Sequence, residues 1–279
     1  MSIRTFAYKN SYHYPMHCIS LLSDFGSNSS SISKIKGVLL QQIPSTQLID
    51  VSHQVSTNNV AEAAYLTLSN YKFYPQNSIH LIFIGLFQGK PPAIILHKAD
   101  GHYFISADND IIPSLFEKEA ITSYKIATLE KGIFITDWIK AIIPICQAIQ
   151  LNTIDLANFP EVTNNSKSVF LPSFAKGNTL DCHVLFIDAF GNIIINFTKK
   201  EWEENWNKRN FTLTFSRTSE IHEISTDYHT HEPGSKICRF NEAGFLEIVQ
   251  ILGHAANTFG LSVQRKDHLI YSTLKLQFK

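Results

Sequence analysis

The chain is short of most features that mark a specialised class of protein. It has 4 cysteines, Cys18, Cys146, Cys182 and Cys238, widely scattered and without a Cys-x-x-Cys pair. Cys182 and His183 are adjacent, and neighbours on a strand point to opposite faces. All four thiols are therefore expected to be buried and reduced, as in a cytoplasmic protein, and no metal ligand set is expected. Charge of one sign is also lacking: 24 Lys+Arg balance 24 Asp+Glu. No basic field argues for nucleic acid, and no basic amphipathic stretch argues for a membrane surface. Long apolar runs are missing too. Residues 79–86, with His80 inside, are about strand length, well short of the roughly 18 needed to span a bilayer. Residues 1–18 mix Arg4, Lys9, His13 and His17 with aromatics, so a secretory signal is not expected.

What is present is globular. The chain of 279 residues is 44% hydrophobic, with 20 Phe and 10 Tyr, enough for one large domain or two ordinary ones. Strands are expected at 19–22, 47–51 and 78–86, the last apolar on both faces like a central parallel strand. Helices are expected at 31–42, 59–71 and 138–149, the second capped by Asn58 or Asn59 and the third with Pro144 inside. Residues 93–97 and 102–106 read as a hairpin turning at Asp100-Gly101.

Composition shifts after about residue 155. Strands dominate at 179–187, 193–197, 211–215, 245–251 and 268–277, with a short helix at 201–208. The expected architecture is an α/β N-terminal domain (1–155) with a central mostly parallel sheet flanked by helices. A polar linker (156–167) and a smaller, mostly antiparallel β C-terminal domain (168–279) follow.

Two loops carry the chemistry. Ser23-Asp24-Phe25-Gly26 follows the first apolar run, and Ile187-Asp188-Ala189-Phe190-Gly191-Asn192 precedes Ile193-Ile194-Ile195-Asn196. Each delivers an Asp from a strand end into a loop with a glycine just behind it, which is where ligands are commonly held.

These loops belong to a longer ordered pattern. Leu22-Ser23-Asp24-Phe25-Gly26, Ile49-Asp50-Val51-Ser52-His53, Phe73-Tyr74-Pro75 and Ser106-Ala107-Asp108-Asn109 occur in the first half. Ile187-Asp188-Ala189-Phe190-Gly191-Asn192, Asn241-Glu242-Ala243-Gly244-Phe245-Leu246-Glu247-Ile248 and Gly253-His254-Ala255-Ala256 occur in the second. The set resembles the S-adenosylmethionine hydroxide adenosyltransferases, a family that includes fluorinases and chlorinases. The resemblance implies a homotrimer binding a small nucleoside ligand, S-adenosylmethionine or adenosine, between the N-terminal domain of one subunit and the C-terminal domain of its neighbour. In such enzymes water-derived hydroxide or a halide attacks C5′ and methionine leaves. No further cofactor is implied.

By resemblance, Asp24 matches the carboxylate on the ribose diol, Asp188 the partner of the methionine ammonium and Asn192 the adenine contact. Each has a plainer reading: a helix cap or loop brace for Asp24, an Asx turn for Asp188 and Asn192. Asn109 fits a turn as well as a ligand contact. Phe190, also in the candidate set, fits packing better than base stacking. His53 fits a histidine locking a loop.

The chain also departs from the family. Gly85 stands at the position of the hydrolases' Asp, Pro92 or Ala93 at that of an Arg, and Asp137 at that of a His. The water-activating set is thus missing, and the pocket Tyr and Ser of fluorinases are not found either. Asp137 is the one candidate base left. Glu242 replaces a Ser near the methionine carboxylate, where a second negative charge would cost binding. Expected, therefore, is a relative that binds S-adenosylmethionine or adenosine with weak or altered activity; the alternative is a non-catalytic trimeric structural or interaction protein that keeps the fold.

Overall fold

A computed structural model describes residues 17–86, 93–129, 134–164, 168–170, 174–206, 209–216, 219–262, 264–265, 268–269 and 272–279. The first half is built on a six-stranded sheet of order β2-β1-β3-β5-β4-β6. Its strands are β1 (His17–Ser23), β2 (Thr46–Ser52), β3 (Ile79–Phe83), β4 (Ala93–Ala99), β5 (His102–Ala107) and β6 (Ile121–Thr128). Strands β2, β1, β3 and β5 run parallel, and β4 is antiparallel to both β5 and β6. β3 is buried at every position and lies between two parallel neighbours, as its unbroken apolar pattern requires.

Helices α1 (Ser30–Gln42) and α3 (Ile135–Gln150) cover one face of this sheet. Ile32, Ile35 and Leu39 of α1 and Trp138, Ile139, Ile142 and Cys146 of α3 pack onto Ile19, Leu21, Leu81, Phe83 and Ile105. Helix α2 (Val60–Asn70) covers the other face, started by Asn59, whose side chain accepts from the Glu62 N–H. Asp100 and Gly101 both have positive φ, 48° and 75°, as the tight β4–β5 turn demands.

The second half is an antiparallel, barrel-like sheet of order β11-β10-β16-β8-β9-β13-β12, with β7 beside β8. The strands are β7 (Phe174–Lys176), β8 (Thr179–Ile187), β9 (Ile193–Thr198), β10 (Phe211–Ser216), β11 (Ser219–Ile221), β12 (Lys236–Phe240), β13 (Phe245–Gln250) and β16 (Thr273–Phe278). Between the last two, β14 (Gln264–Arg265) pairs with β15 (His268–Leu269). A bridge from Ile224 to Cys238 brings the two ends of the strand order together.

The two halves share a core. Tyr65 of α2 meets Phe186 and Phe245 at ring distances of 5.5 and 5.4 Å, in a cluster that also holds Leu22, Ile82, Phe104, Leu185 and Ile194. All four cysteines are free and buried.

Several expected boundaries move. The run 78–86 stops being a strand at Phe83, because Gly85 takes φ +63° and turns the chain. In place of the helix at 201–208 there is one helical turn, Lys199–Glu201, followed by a π-helical turn, Trp202–Trp206; residues 207–208 lie outside the described residues. The run 268–277 contains only the two residues of β15 and then β16, with 270–271 outside the described residues. The segment read as a linker is tied down in part: Glu161 bridges Tyr124, and Lys125 donates to the Pro160 carbonyl.

One row of the first sheet is unusual. Ser20, His80, Phe104, His97 and Ser123 stand opposite one another on β1, β3, β5, β4 and β6. All are buried. Ser20 Oγ lies 2.7 Å from His80 Nδ1, and His80 Nε2 lies 3.2 Å from His102 Nδ1. On the far side His97 Nδ1 lies 2.7 Å from Ser123 Oγ. Burial, with His102 as a lesser cause, pushes His80 down to about 3, and burial alone pushes His97 down to about 3.

Candidate functional site

β1 runs out at Ser23, and the next residue, Asp24, enters the loop to α1 half-buried. Its Oδ2 accepts the backbone N–H of Asn58 and that of Gly85, both at 3.1 Å. Among the described residues no hydrogen bond reaches Oδ1. The loop is held from β2 as well: Gly26 N–H donates to the His53 carbonyl at 2.7 Å, and His53 Nδ1 lies 2.8 Å from Ser23 Oγ. His53 Nε2 makes an ion-pair contact with Asp50 at 3.1 Å, and Asp50 also pairs with Lys36. His53 thus locks the loop, as its position between strand and helix suggests. A cleft of about 550 Å³ opens beside Asp24, lined by Phe25, Ser27, Ser29, Gln54 and Ser56 among others.

Asp188 is held by its own loop. It follows β8, and its Oδ1 accepts from the N–H groups of Phe190 and Asn192 at 2.9 and 2.8 Å. Its Oδ2 accepts from the Asn192 side-chain amide at 2.9 Å. The Asx-turn reading of this loop is therefore realised. A carboxylate offers about four lone-pair positions, so three bonds still leave room for one donor. Gly191 is needed twice: φ is +79°, and a Cβ there would sit 2.1 Å from His254 Nδ1. Phe190 does not pack within the chain as its apolar character suggests; it is 77% exposed, thrown outward by the turn.

Under this loop lies the acid Glu247 of β13, 8% exposed. Burial, then the nearby Asp188, raises its pKa, while Arg239, Tyr228 and the Asn192 amide work against that rise. Tyr65 is in electrostatic contact with both acids and accepts a hydrogen bond from the Asn241 amide at 3.2 Å. Its pKa is raised to about 12, mainly by burial.

Asn109 braces the backbone: its amide donates to the Ile84 carbonyl at 3.1 Å and its oxygen accepts from Ile111 N–H at 3.4 Å. Asp137 stands in the first turn of α3, accepting the Phe134 N–H at 2.9 Å, with Lys140 at 4.0 Å. Those are the contacts of a helix-capping acid. Its neighbour Trp138 packs on Phe83, which stacks on Phe25 beside Asp24. Glu242 is exposed in the turn between β12 and β13. Ala93 begins β4, whereas Pro92 lies outside the described residues. Reading the sequence missed Glu247; the signal was a lone acid inside the apolar run Phe-Leu-Glu-Ile-Val. Among the described residues, no group of three or more His, Cys, Asp or Glu is placed to hold a metal ion, and no helix is long and apolar enough to cross a membrane.

A mostly parallel α/β sheet joined to an antiparallel barrel, each ending a strand in an Asp loop, defines a two-part class, and the family models say which. Residues 19–142 match the SAM hydroxide adenosyltransferase N-terminal domain and residues 182–266 the corresponding C-terminal domain. The chain belongs to the SAM hydroxide adenosyltransferase family. It is 24% identical over 270 residues, 91% of this chain and 95% of the relative, to an (R)-S-adenosyl-L-methionine hydrolase of Methanocaldococcus jannaschii. Its fold is similar to that of an uncharacterized conserved protein from Thermotoga maritima, with a TM-score of 0.75 and 18% identity, covering 93% of this chain and 99% of that one. A conserved hypothetical protein from Thermus thermophilus is also similar, with a TM-score of 0.65 and 16% identity, covering 95% of this chain and 100% of that one.

Proposed function

We propose that this chain is a SAM hydrolase-like protein that binds S-adenosylmethionine or adenosine, as a homotrimer, with weak or altered hydrolytic activity. The observation that carries the reading is Asp24. Two N–H groups fix one of its oxygens, and the other is left beside a cleft rich in hydroxyl and amide side chains. One carboxylate oriented in this way can accept from a vicinal diol such as ribose. Asp188 keeps one acceptor position for an ammonium, and Asn192 stands beside it. Phe190 beside Asp188 is bare, which favours a site completed by a second subunit.

Weak activity follows from what replaces the water-activating set. Gly85 brings only a backbone N–H, and Asp137 spends its carboxylate on the start of α3. A positioned general base contributes about 10²–10⁴ in rate, and neither group supplies one. These two replacements also favour the second reading, a non-catalytic trimer.

The test is calorimetric titration with adenosine and with both sulfonium epimers of S-adenosylmethionine, followed by chromatographic assay of adenosine release. Binding with turnover at least about a hundredfold below an intact relative is expected. Absence of binding by all three ligands would leave the non-catalytic reading; fast turnover would overturn the proposal of weak activity.

A further inference from the structure

A chain of polar contacts runs from the surface of β2 to the loop that carries Asp24. At the outer end stands Asp50, its side chain 42% exposed. Its Oδ2 pairs with Lys36 of α1, and its Oδ1 lies 3.1 Å from His53 Nε2. Burial acts to raise the Asp50 pKa, but Lys36 and His53 together outweigh it and hold the carboxyl below its ordinary value. Nε2 is closed off from solvent, and Asp50 meets it without the alignment of a hydrogen bond, so the carboxylate acts on the ring by its charge. At the inner end His53 Nδ1 lies 2.8 Å from the fully buried Ser23 Oγ. The same Oγ accepts the Phe25 N–H at 3.5 Å, so Ser23 reaches across Asp24. A neutral imidazole carries one proton, on either nitrogen. A negative charge beside Nε2 draws the proton there and leaves Nδ1 as an acceptor. Ser23 then gives Nδ1 its only proton and keeps its lone pairs for Phe25. With the proton on Nδ1 the ring would donate instead, and the serine proton would need another acceptor in a place shut to water, which is costly.

We propose that Asp50 is a positioning residue: its charge fixes the tautomer of His53, and through Ser23 that tautomer sets the backbone from which Asp24 reaches its ligand. This rests on the assignment of Asp24 to the ligand under the proposed function. A partly exposed acid on β2 thereby governs a site to which it contributes no contact of its own.

The experiment is a pair of measurements on the full chain at pH 8. Nitrogen NMR of the histidine rings, with His53→Asn for assignment, reports which nitrogen of His53 carries the proton. Wild type should show it on Nε2, and Asp50→Leu should show both tautomers. Titration with adenosine should find Asp50→Leu weaker by about fivefold to tenfold, the net worth of one hydrogen bond. Lys36→Met leaves Asp50 facing His53 and should stay within about twofold of wild type, as expected for loss of a surface ion pair. In His53→Asn the short side chain keeps an oxygen acceptor near the Nδ1 position, so adding Asp50→Leu should have no further effect. A wild-type proton on Nδ1, or on both nitrogens, would overturn the inference. So would equal losses from Asp50→Leu with and without His53, which would reduce Asp50 to a general surface charge. Adenosine binding that ignores Asp50→Leu removes this inference and leaves the proposed function standing. No adenosine binding in wild type removes the proposed function and this inference with it.

Discussion

Gly85 gives its backbone N–H to Asp24 Oδ2 at 3.1 Å, so the end of β3 fixes the carboxylate that leaves β1. The glycine contributes a donor to this carboxylate and no charge of its own. Its φ of +63° and a Cβ-to-Asn58 Oδ1 distance of 3.3 Å leave little tolerance for a side chain. Gly85→Ala should lower stability by about 1–2 kcal/mol and weaken adenosine binding by displacing Asp24. Unfolding and titration of the same preparation check both, and an unchanged melting curve would show that the loop absorbs the change freely.

Asp24→Ala should weaken adenosine roughly tenfold to a hundredfold, the equivalent of about 1.5–3 kcal/mol for hydrogen bonds to a charged group. Asp24→Asn, which retains an oxygen for the two N–H groups, separates ligand loss from loop damage. If Asp24→Ala binds adenosine like wild type, Asp24 only braces the loop.

Asp137→Asn should leave any residual adenosine release where it is. Asp137→Ala should cost about 0.5–2 kcal/mol of stability, the usual worth of a helix cap. Release that is measurable in wild type and lost in Asp137→Asn would make Asp137 the base.

Gly191→Ala should be severe. The turn requires positive φ, and the new methyl would strike the His254 ring. Left-handed strain and overpacking each cost about 1–3 kcal/mol, so a drop of several degrees in melting temperature is expected. Calorimetry that found the variant as stable as wild type would mean His254 moves aside without cost.

Stability should fall on acidification below pH 6.5. His80 and His97 are pushed down to about 3 in the folded protein, while the unfolded chain takes up protons near the ordinary value of 6.5. Between those values the unfolded state binds more protons, so each histidine removes up to about 1.4 kcal/mol per pH unit. The raised pKa values of Glu62 and Glu247 act in the opposite sense above 4.5 and offset part of the loss. Denaturant titrations at pH 7.5 and 5.0 should show the decline, and His97→Gln should flatten it. A pH-independent midpoint would refute the role of the two histidines.

Much of this fold was legible because its signals are local. The unbroken apolar run at β3, the Asn59 cap and the Asp100-Gly101 turn each report their own backbone. β6 escaped notice because its alternation, with Ile121 and Ser123 inward and Thr122 outward, includes a polar inward residue. Ser123 is inward because it faces His97, a partner from a distant strand that no window of sequence contains. The site divides in the same way. Asp24 and Asp188 announce themselves at strand ends. Asp137 and Asn109 carry the right residue type, but only the folded backbone shows what they hold. Glu247 was hidden because its partners come from three separate strands and loops.

The core that Tyr65 shares with Phe186 and Phe245 means this chain does not come apart into interchangeable modules. A fragment ending after α3 would strip Tyr65 of Phe186 and Phe245, and the barrel alone would leave those two rings without Tyr65. Separately expressed halves should be insoluble or should co-purify. Shuffling either half with that of a relative should succeed only when both sides of this seam are exchanged together.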